Sequence, residues 1–331
     1  MPALGSRLAR IAAALCLAAV HASLLAAPNT GSRLRTTGDV VMMKRGPQDN
    51  PIIVTGQRPA KDSEVRAALR ELAMRGRSMD RPLARFQEQL CVSVFGLGDR
   101  FGTQVKKRIE RNAREAGLAV ETRLCKPNAT VVVVRNPDRL VEATFKRRGR
   151  VISPEARRNV RAAQERGDVA LAWSIEEITA APGGAAAVSS DVASAVGFGS
   201  GALGPPGFTS ISASRLRPNF ALSRTNAMIV FDVDRLAGVH LNQLADFATM
   251  RLLSDPQAVV DLQVGALGSI LTLFDHGIDQ AAPELTPLDR AYLTGLYKMR
   301  SNDPGTLLER FVLAAYREKM GDYSDSAITD D

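Results

Sequence analysis

The stretch "TVVVVR", residues 130–135, is the part of the sequence that decides the fold. An uninterrupted run of β-branched residues of this length is typical of a buried strand. A second short apolar run, "CVSVF" at 91–95, precedes it, and a helical apolar spacing over 102–116 lies between the two and ends at Gly117. A strand, an amphipathic helix and a buried strand in this order predict an α/β (α+β) fold.

Apolar spacing, together with residues that cap or begin helices, predicts further helices and strands along the rest of the chain. Ser63, Ser153 and Thr286 stand where helix N-caps are expected, and Pro154 and Pro287 occupy first helical positions. These signals predict helices over 63–76, 137–145, 154–167, 241–253, 258–274 and 287–297, a last helix from 304, and strands over 169–178 and 227–232. The second half of the chain is therefore predicted to be a strand followed by a helical bundle.

The first residues have the features of an export signal. Arg7 and Arg10 give a positively charged start, and residues 11–20 form an apolar run of the length found in secretory signals. That run is too short to span a bilayer, and it is followed by two acceptable small-residue cleavage sites, one ending at Ala22 and one at Ala26. We predict that residues 1–22 are a signal peptide, that no transmembrane segment remains after cleavage, and that the mature protein is periplasmic or secreted.

The charge of the chain limits the classes of partner. The formal net charge of +8 falls to +6 without residues 1–22, because they contain two arginines and no acid. Such a balance suits contact with an anionic surface of the cell envelope as readily as nucleic-acid binding. The only dense basic run, residues 146–150, is typical of a solvated loop face, and the chain is poor in the aromatic residues that nucleic-acid platforms require. We expect no specific nucleic-acid binding, and the partner is predicted only as an unknown envelope protein or ligand.

Two cysteines, Cys91 and Cys125, remain after the predicted signal is removed. An even number of cysteines in an oxidising compartment predicts a disulfide. Closing a loop of this size stabilises the protein by about 3 to 4 kcal/mol in the chain-entropy model. The alternative is a reactive thiol pair, which has no histidine near it in the sequence.

These signals divide the chain into six segments. After the signal peptide, residues 23–62 mix Gly, Pro, Asn, Thr and charged residues with little periodicity and predict a flexible leader. The α/β unit with its disulfide follows over 63–180, and a loop rich in Gly, Ala, Ser and Pro over 181–210. The strand and helical bundle occupy 211–321, and residues 322–331 are predicted to be a loose acidic tail.

Two short motifs lie in the irregular segments. "GFGSG", residues 197–201, partly matches a phosphate-binding loop, but Pro205 and Pro206 follow where such a loop needs a helix. "PIIVTGQRP", residues 51–59, resembles the segment that opens the plug domain of TonB-dependent outer-membrane receptors. The match is confined to these nine residues, so we interpret it only as support for a location in the cell envelope. A role as an accessory of the TonB system is the hypothesis that it leaves open.

A longer part of the chain resembles an uncharacterised family of secreted alphaproteobacterial proteins. The resemblance extends over residues 85–320 and is carried by "CVSVFGL", "REAGL", "CKPNATVVVV", "MIVFDVDRLAGVHLNQLADFATMRLL" and "LTPLDRAYLTGLY". It implies a shared fold, export and a pairing of the two cysteine-bearing segments. It implies no activity.

The C-terminal part is also similar in layout to zincin-type metallopeptidases. In that family a helix after a strand carries H-E-x-x-H, which places two imidazoles one turn apart on a zinc ion and a glutamate beside the bound water. Here the corresponding residues 243–247 are "QLADF", which contain no histidine. The resemblance therefore implies a zincin-like fold that lacks the metal motif, and we expect no metal ligands and no cofactor.

Four residues are weak candidates for a catalytic site: His240, Asp246, Asp275 and His276. A spacing of six places His240 and Asp246 about 240° apart on a helix, and therefore on different faces. We interpret Asp246 as a polar residue bonded to neighbouring loops and His240 as a residue of the helix cap.

The leading hypothesis is an exported envelope protein with a non-catalytic binding or structural role. The alternative is a secreted, peptidase-like hydrolase with a divergent site that uses Asp246 or Asp275 with His240 or His276. That alternative requires these side chains to converge in one concave pocket. Whether the protein is an enzyme is left open by the sequence, which favours the binding role.

Overall fold

A four-stranded mixed sheet forms the centre of the protein, which is described by a computed structural model. Its strands are β1 Val92–Phe95, β2 Ala129–Val134, β3 Ala170–Ala180 and β4 Phe220–Asp232. They lie in the order β1-β2-β4-β3, in which β1, β2 and β4 are parallel and β3 is antiparallel to β4. With the helices around it, this sheet confirms the predicted α/β fold class.

The structure describes residues 60–74, 80–123, 125–148, 151–180, 217–218, 220–254, 267–275 and 278–326. The predicted signal peptide, residues 23–59 of the predicted leader and the Gly-rich loop over 181–210 lie outside these residues, as do the motifs at 51–59 and 197–201. In the described ranges, none of the helices has both the length and the apolar character that crossing a membrane demands.

Seven α-helices occur among the described residues: α1 Asp62–Leu69, α2 Asp99–Glu115, α3 Pro137–Arg148, α4 Pro154–Arg166, α5 Leu241–Leu253, α6 Pro287–Lys298 and α7 Leu308–Ser326. A π-helical turn, Arg70–Met74, extends α1. The helix α2 connects β1 to β2, the helices α3 and α4 connect β2 to β3, and α5 follows β4.

Helices cover both faces of the sheet. Val131 and Val133 of β2 pack into a large core with residues of α1, α2, α5, α6 and α7. Val132 and Val134 point the other way, against a smaller core to which α3 and α4 contribute. Side chains alternate across a strand, so a strand covered on both faces has to be apolar at successive positions. The run "TVVVVR" meets this requirement, and the result is a three-layer α/β/α arrangement.

Two of the three predicted helix caps, at Ser153 and Thr286, are confirmed. The hydroxyl of Ser153 accepts a hydrogen bond of 3.1 Å from the backbone N of Ala156, and α4 ends at Gly167 in the left-handed conformation. Thr286 and Asp289 cap α6 reciprocally, because the backbone N of each donates to the side chain of the other, at 3.0 and 3.2 Å.

The prediction of a cap at Ser63 is wrong, because α1 begins at Asp62 with Lys61 as its N-cap. There the backbone N of Lys61 donates to the carboxylate of Glu64 at 2.8 Å.

Three predicted elements differ from the structure. The helix predicted over 258–274 is wrong in its described part, where residues 270–272 form a single 3-10 turn. The reason is that the backbone N of Ile270 donates to the buried carboxylate of Asp289 at 2.8 Å instead of to a helical carbonyl. The strand predicted to begin at residue 227 begins at Phe220 and pairs along its whole length with β3. The last helix continues to Ser326, so residues 322–326 of the predicted loose tail are helical.

Cys91 and Cys125 form the predicted disulfide, with Sγ atoms 2.00 Å apart and Cα atoms 6.1 Å apart. The bond joins the residue that precedes β1 to the loop that leads into β2. Backbone hydrogen bonds hold the same region, since the backbone N of Leu90 donates to Ala119 O at 2.8 Å and that of Glu121 donates to Leu90 O at 2.9 Å. The disulfide therefore reinforces the attachment of this loop to the edge of the sheet.

Replacing both cysteines by serine is expected to lower the free energy of unfolding by about 3 kcal/mol, because the bond closes a loop of 34 residues. The measurement is urea unfolding followed by the fluorescence of Trp173, the single tryptophan. The wild-type protein in reducing agent should unfold at the same urea concentration as the double variant. Unchanged unfolding in both samples would contradict a stabilising role of the bond.

Candidate functional site

A cleft with a volume of about 310 Å³ lies beside the outer edge of the sheet. β3 is an end strand of the sheet, and the cleft runs along its first half, at Ala170, Ala172 and Trp173. Residues of α4 form one wall, and residues of α5 together with residues 271–275 form the other. Segments as far apart in the chain as residues 156 and 275 thus meet around the start of β3.

The walls of the cleft combine apolar and polar surface in similar amounts. On one side α4 presents the small side chains of Ala156, Ala162 and Ala163, which leave space in front of the sheet edge. On the other side stand Phe247 and Phe274, whose rings meet edge to face with centroids 4.9 Å apart. Edge-to-face packing is a favoured arrangement of two aromatic rings, and it gives this wall an extended apolar surface.

Three arginines line the cleft: Arg166 at the end of α4, Arg235 after β4 and Arg251 in α5. The Nε and Nη2 atoms of Arg166 donate to the two carboxylate oxygens of Asp168, at 3.2 and 2.7 Å, and Nη1 of Arg235 donates to the carbonyl of Gly167. With two aspartates in the lining, the formal charge of the cleft is +1. A guanidinium group has five N–H donors, so these bonds fix Arg166 and Arg235 and leave donors for a ligand.

The backbone of β3 has an open edge at this cleft. The backbone N of Asp232 donates to Val169 O at 3.0 Å, which makes Val169 and Asp232 a hydrogen-bonded pair of the antiparallel ladder. Because hydrogen-bonded and non-bonded pairs alternate, Ala170 and Ala172 point their N–H and C=O groups away from β4. In the part of the chain that the structure describes, no hydrogen bond reaches these groups.

Asp246 lies elsewhere, fully buried between α2, α5 and the loop before α6. Its carboxylate accepts four hydrogen bonds: from Arg108 Nε at 2.7 Å and Nη2 at 2.6 Å, from Asn112 Nδ2 at 2.7 Å and from the backbone N of Leu285 at 2.9 Å. A carboxylate offers about four lone-pair sites, so these bonds occupy all of them. This agrees with the interpretation of Asp246 as a residue bonded to a neighbouring loop.

The charge on Asp246 is balanced by Arg108. The hydrogen bond to Asp246 raises the pKa of the Arg108 guanidinium above its ordinary value, and a bond of 2.9 Å to Glu284 acts in the same direction. Arg108 belongs to α2, Asp246 to α5, and Glu284 to the loop before α6. The cluster therefore ties three elements together.

The five residues of α5 that correspond to the zincin motif, 243–247, are used for packing. Leu244, Ala245 and Phe247 belong to the large core. The side-chain amide of Gln243 donates to Ala282 O at 3.1 Å and accepts from the backbone N of His240, also at 3.1 Å. With Asp246 bonded as described above, each of these positions contributes to holding α5 in place.

His240 precedes the first residue of α5 and is exposed to solvent. It lines a shallow depression of about 580 Å³ together with Lys107, Arg108 and Arg111 of α2. This depression is basic, and it is separate in its lining from the cleft beside β3. The interpretation of His240 as a residue of the helix cap agrees with its place.

The three candidate catalytic residues that the structure describes do not share a site. Asp275 lines the cleft beside β3, His240 lines the basic depression, and Asp246 lines neither. His276 lies outside the described residues. Over the described ranges, no group of three or more His, Cys, Asp or Glu side chains is placed to hold a metal ion.

Sequence reasoning found only Asp275 among the residues of the cleft. Arg166, Arg235 and Arg251 belong to no motif, and they are brought together by the packing of α4, β4 and α5 around β3. One signal is visible in the stretch "AAQERGDVALA", residues 162–172, where small residues surround an arginine and an aspartate at the junction of a helix and a strand. Small residues beside fixed charges leave room for a ligand, which is the property that the cleft shows.

No family model, curated protein or solved structure matches this chain. The resemblances to the secreted alphaproteobacterial family and to the zincin layout stay predictions.

Proposed function

We propose that this protein is an exported, non-catalytic binding protein that holds an anionic ligand in the cleft between α4, β3 and α5. The observation that carries the proposal is the presence of Arg166, Arg235 and Arg251 around a cleft of about 310 Å³ that has both polar and apolar lining. Ligand sites are concave, combine apolar surface with placed polar groups, and have volumes from about 300 Å³ upward. Guanidinium groups bind carboxylates and phosphates through paired hydrogen bonds, so an anion is the expected class of ligand.

The ion pair between Arg166 and Asp168 supports this proposal, because stability alone gives little reason for it. The two side chains are 37% and 34% exposed and belong to residues two apart in the chain. An exposed pair of this kind contributes about 0–1 kcal/mol to folding. Its larger effect is to hold the guanidinium in one orientation, and a ligand that meets a fixed donor loses less entropy on binding.

The location outside the cytoplasm is part of the proposal. It rests on the signal-like residues 1–22 and on the disulfide between Cys91 and Cys125, since disulfides persist mainly in oxidising compartments. The positive net charge suits an envelope whose surfaces are anionic. The ligand is accordingly an anionic component of the envelope or an acidic segment of an envelope protein.

Replacing Arg166 and Arg235 together by glutamine is expected to weaken the binding of poly-L-glutamate by about tenfold or more. Hydrogen bonds to charged groups contribute about 1.5–3 kcal/mol, and about 1.4 kcal/mol corresponds to tenfold in affinity. The measurement is fluorescence anisotropy of labelled poly-L-glutamate titrated with the protein at two salt concentrations.

The matched control replaces Arg139 and Arg158, two exposed arginines that do not line the cleft, by glutamine. It removes the same charge from the surface, so its affinity should stay within about twofold of the wild type. Equal weakening in both variants would mean that the polyanion is attracted by the overall charge, and the cleft would be rejected as the binding site. Absence of binding to the wild type would also reject it.

A further inference from the structure

We infer that the ligand of the cleft is an extended acidic polypeptide segment that adds to the outer edge of β3 as a fifth strand of the sheet. This inference rests on the proposed function, because it names the ligand of the same cleft. The inference is based on the position of the open edge of β3. At Ala170 and Ala172 this edge lies between two walls of the cleft, and each wall carries an arginine.

The open edge supplies the hydrogen bonds. The N–H and C=O groups of Ala170 and Ala172 point away from β4 and face the side of β3 on which the cleft lies. A strand placed about 4.8 Å from β3 would pair with these groups. Adding a peptide strand to an exposed sheet edge is a recurring mode of recognition, in which the main chain provides affinity and side-chain pockets provide specificity.

The walls supply the side-chain contacts. Successive side chains of an added strand point to opposite faces of the sheet, so one set would face α4 and the other would face α5. Arg166 stands on the α4 side and Arg251 on the α5 side. A glutamate or aspartate on either face would therefore meet a guanidinium group, while apolar side chains would contact Phe247 and Phe274. These features favour a segment with acidic residues among apolar ones.

A second copy of the same chain fits this edge less well. Two β3 strands paired antiparallel about a twofold axis at Ala172 would place Glu176 of each copy opposite Asp168 of the other. Glu176 is exposed and Asp168 is partly exposed. Like charges directly opposite each other in a strand pair are destabilising, and this repulsion favours a heterologous acidic segment that can place its charges beside the arginines.

Ala172→Pro tests the inference directly. The N–H of Ala172 points outward, so proline removes a donor to the added strand without removing a hydrogen bond to β4, and edge strands tolerate proline in this position. The probe is a labelled synthetic peptide in which glutamate alternates with valine. We expect Ala172→Pro to weaken its binding by about tenfold or more, because backbone pairing is interrupted at the centre of the contact.

Ala172→Val is the matched control, since valine adds the same number of carbon atoms and keeps the N–H donor. Because Ala172 lines the cleft, valine can weaken binding through its added volume, but the loss should be about tenfold smaller than the loss caused by proline. If valine weakens binding as much as proline does, the effect is one of volume and the inference of strand addition is overturned. Thermal unfolding of both variants establishes that they are folded.

A second measurement leaves the protein unchanged and alters the peptide. Methylation of alternate backbone nitrogens on one edge of the peptide should weaken binding to the wild type by about tenfold or more. If the Arg166 and Arg235 variant loses binding while the methylated peptide and Ala172→Pro retain it, the inference fails and the proposed function stands. If the arginine variant binds as tightly as the wild type, both fail. The peptide experiment decides the matter even if the proline variant does not fold.

Discussion

Gly96→Ala is expected to lower the free energy of unfolding by about 2–5 kcal/mol. Gly96 follows β1 with a φ of +86°, a conformation that costs an L-residue about 1–2 kcal/mol. A Cβ atom at this position would lie 1.8 Å from the backbone O of Val133 in β2. Because the clash is with backbone, β1 and β2 would have to separate, and overpacking of this kind adds about 1–3 kcal/mol and occasionally more.

Gly117→Ala is the matched control for this prediction. Gly117 also has a positive φ, of +94°, but a Cβ atom added there would have no heavy atom within 4 Å beyond its own chain neighbours. Its replacement should cost only the conformational part, about 1–2 kcal/mol. Urea unfolding followed by Trp173 fluorescence measures both variants. Equal losses of stability would show that the approach of Gly96 to Val133 does not limit the packing of the two strands.

Asp246→Asn is expected to lower the free energy of unfolding by about 3–5 kcal/mol. The substitution preserves the shape of the side chain and removes the charge that balances Arg108, whose own side chain is only 12% exposed. Removing one partner of a buried pair leaves the other desolvated and uncompensated, with a loss of this size. The NH₂ group of the asparagine would also face Arg108 and either Asn112 or Leu285, depending on which oxygen it replaces, and donors that face each other cannot form hydrogen bonds.

Glu284→Gln provides the comparison within the same cluster. The Glu284 side chain is 51% exposed and bonds the same guanidinium group at 2.9 Å. Its replacement should change the free energy of unfolding by less than about 1 kcal/mol. If Asp246→Asn proves as mild as Glu284→Gln under the same urea titration, the buried carboxylate does not hold α2, α5 and the following loop together.

The Asp246 prediction also bears on function. A carboxylate with four donors on its two oxygens has no lone pair left for a proton, a water molecule or a substrate. The effect of its removal should therefore be on stability, whereas the removal of Arg166 and Arg235 should affect ligand binding. Measuring both properties on both variants separates the structural cluster from the proposed site.

Much of the local structure could be predicted from the sequence. The caps at Ser153 and Thr286 and the runs that form β1 and β2 depend on residues close together in the chain, and the structure contains each of them. The helix predicted through residues 270–274 was wrong because a distant carboxylate, that of Asp289, takes the backbone N–H of Ile270. Local periodicity carries no information about such a competing acceptor.

The candidate site could be predicted only in small part. Asp275 is a candidate because it is a titratable residue beside His276, and it lines the cleft, but nothing in its local sequence indicates the cleft. Arg235 and Arg251 follow β4 and lie within α5, where single arginines are ordinary surface residues. Their common position becomes evident only when β4 pairs with β3 and α5 folds back across the sheet.

By itself, the sequence determined the α/β class and the disulfide, because periodic burial, caps and an even number of cysteines are properties of neighbouring residues and of composition. The expectation of export also belongs to the sequence alone. Only the tertiary structure decided that β3 is an end strand with an open edge, and that Asp246 meets Arg108 across 138 positions of the chain. Strand order and long-range pairing depend on how whole elements bury their apolar faces against one another, and many arrangements of the same elements satisfy the same local pattern.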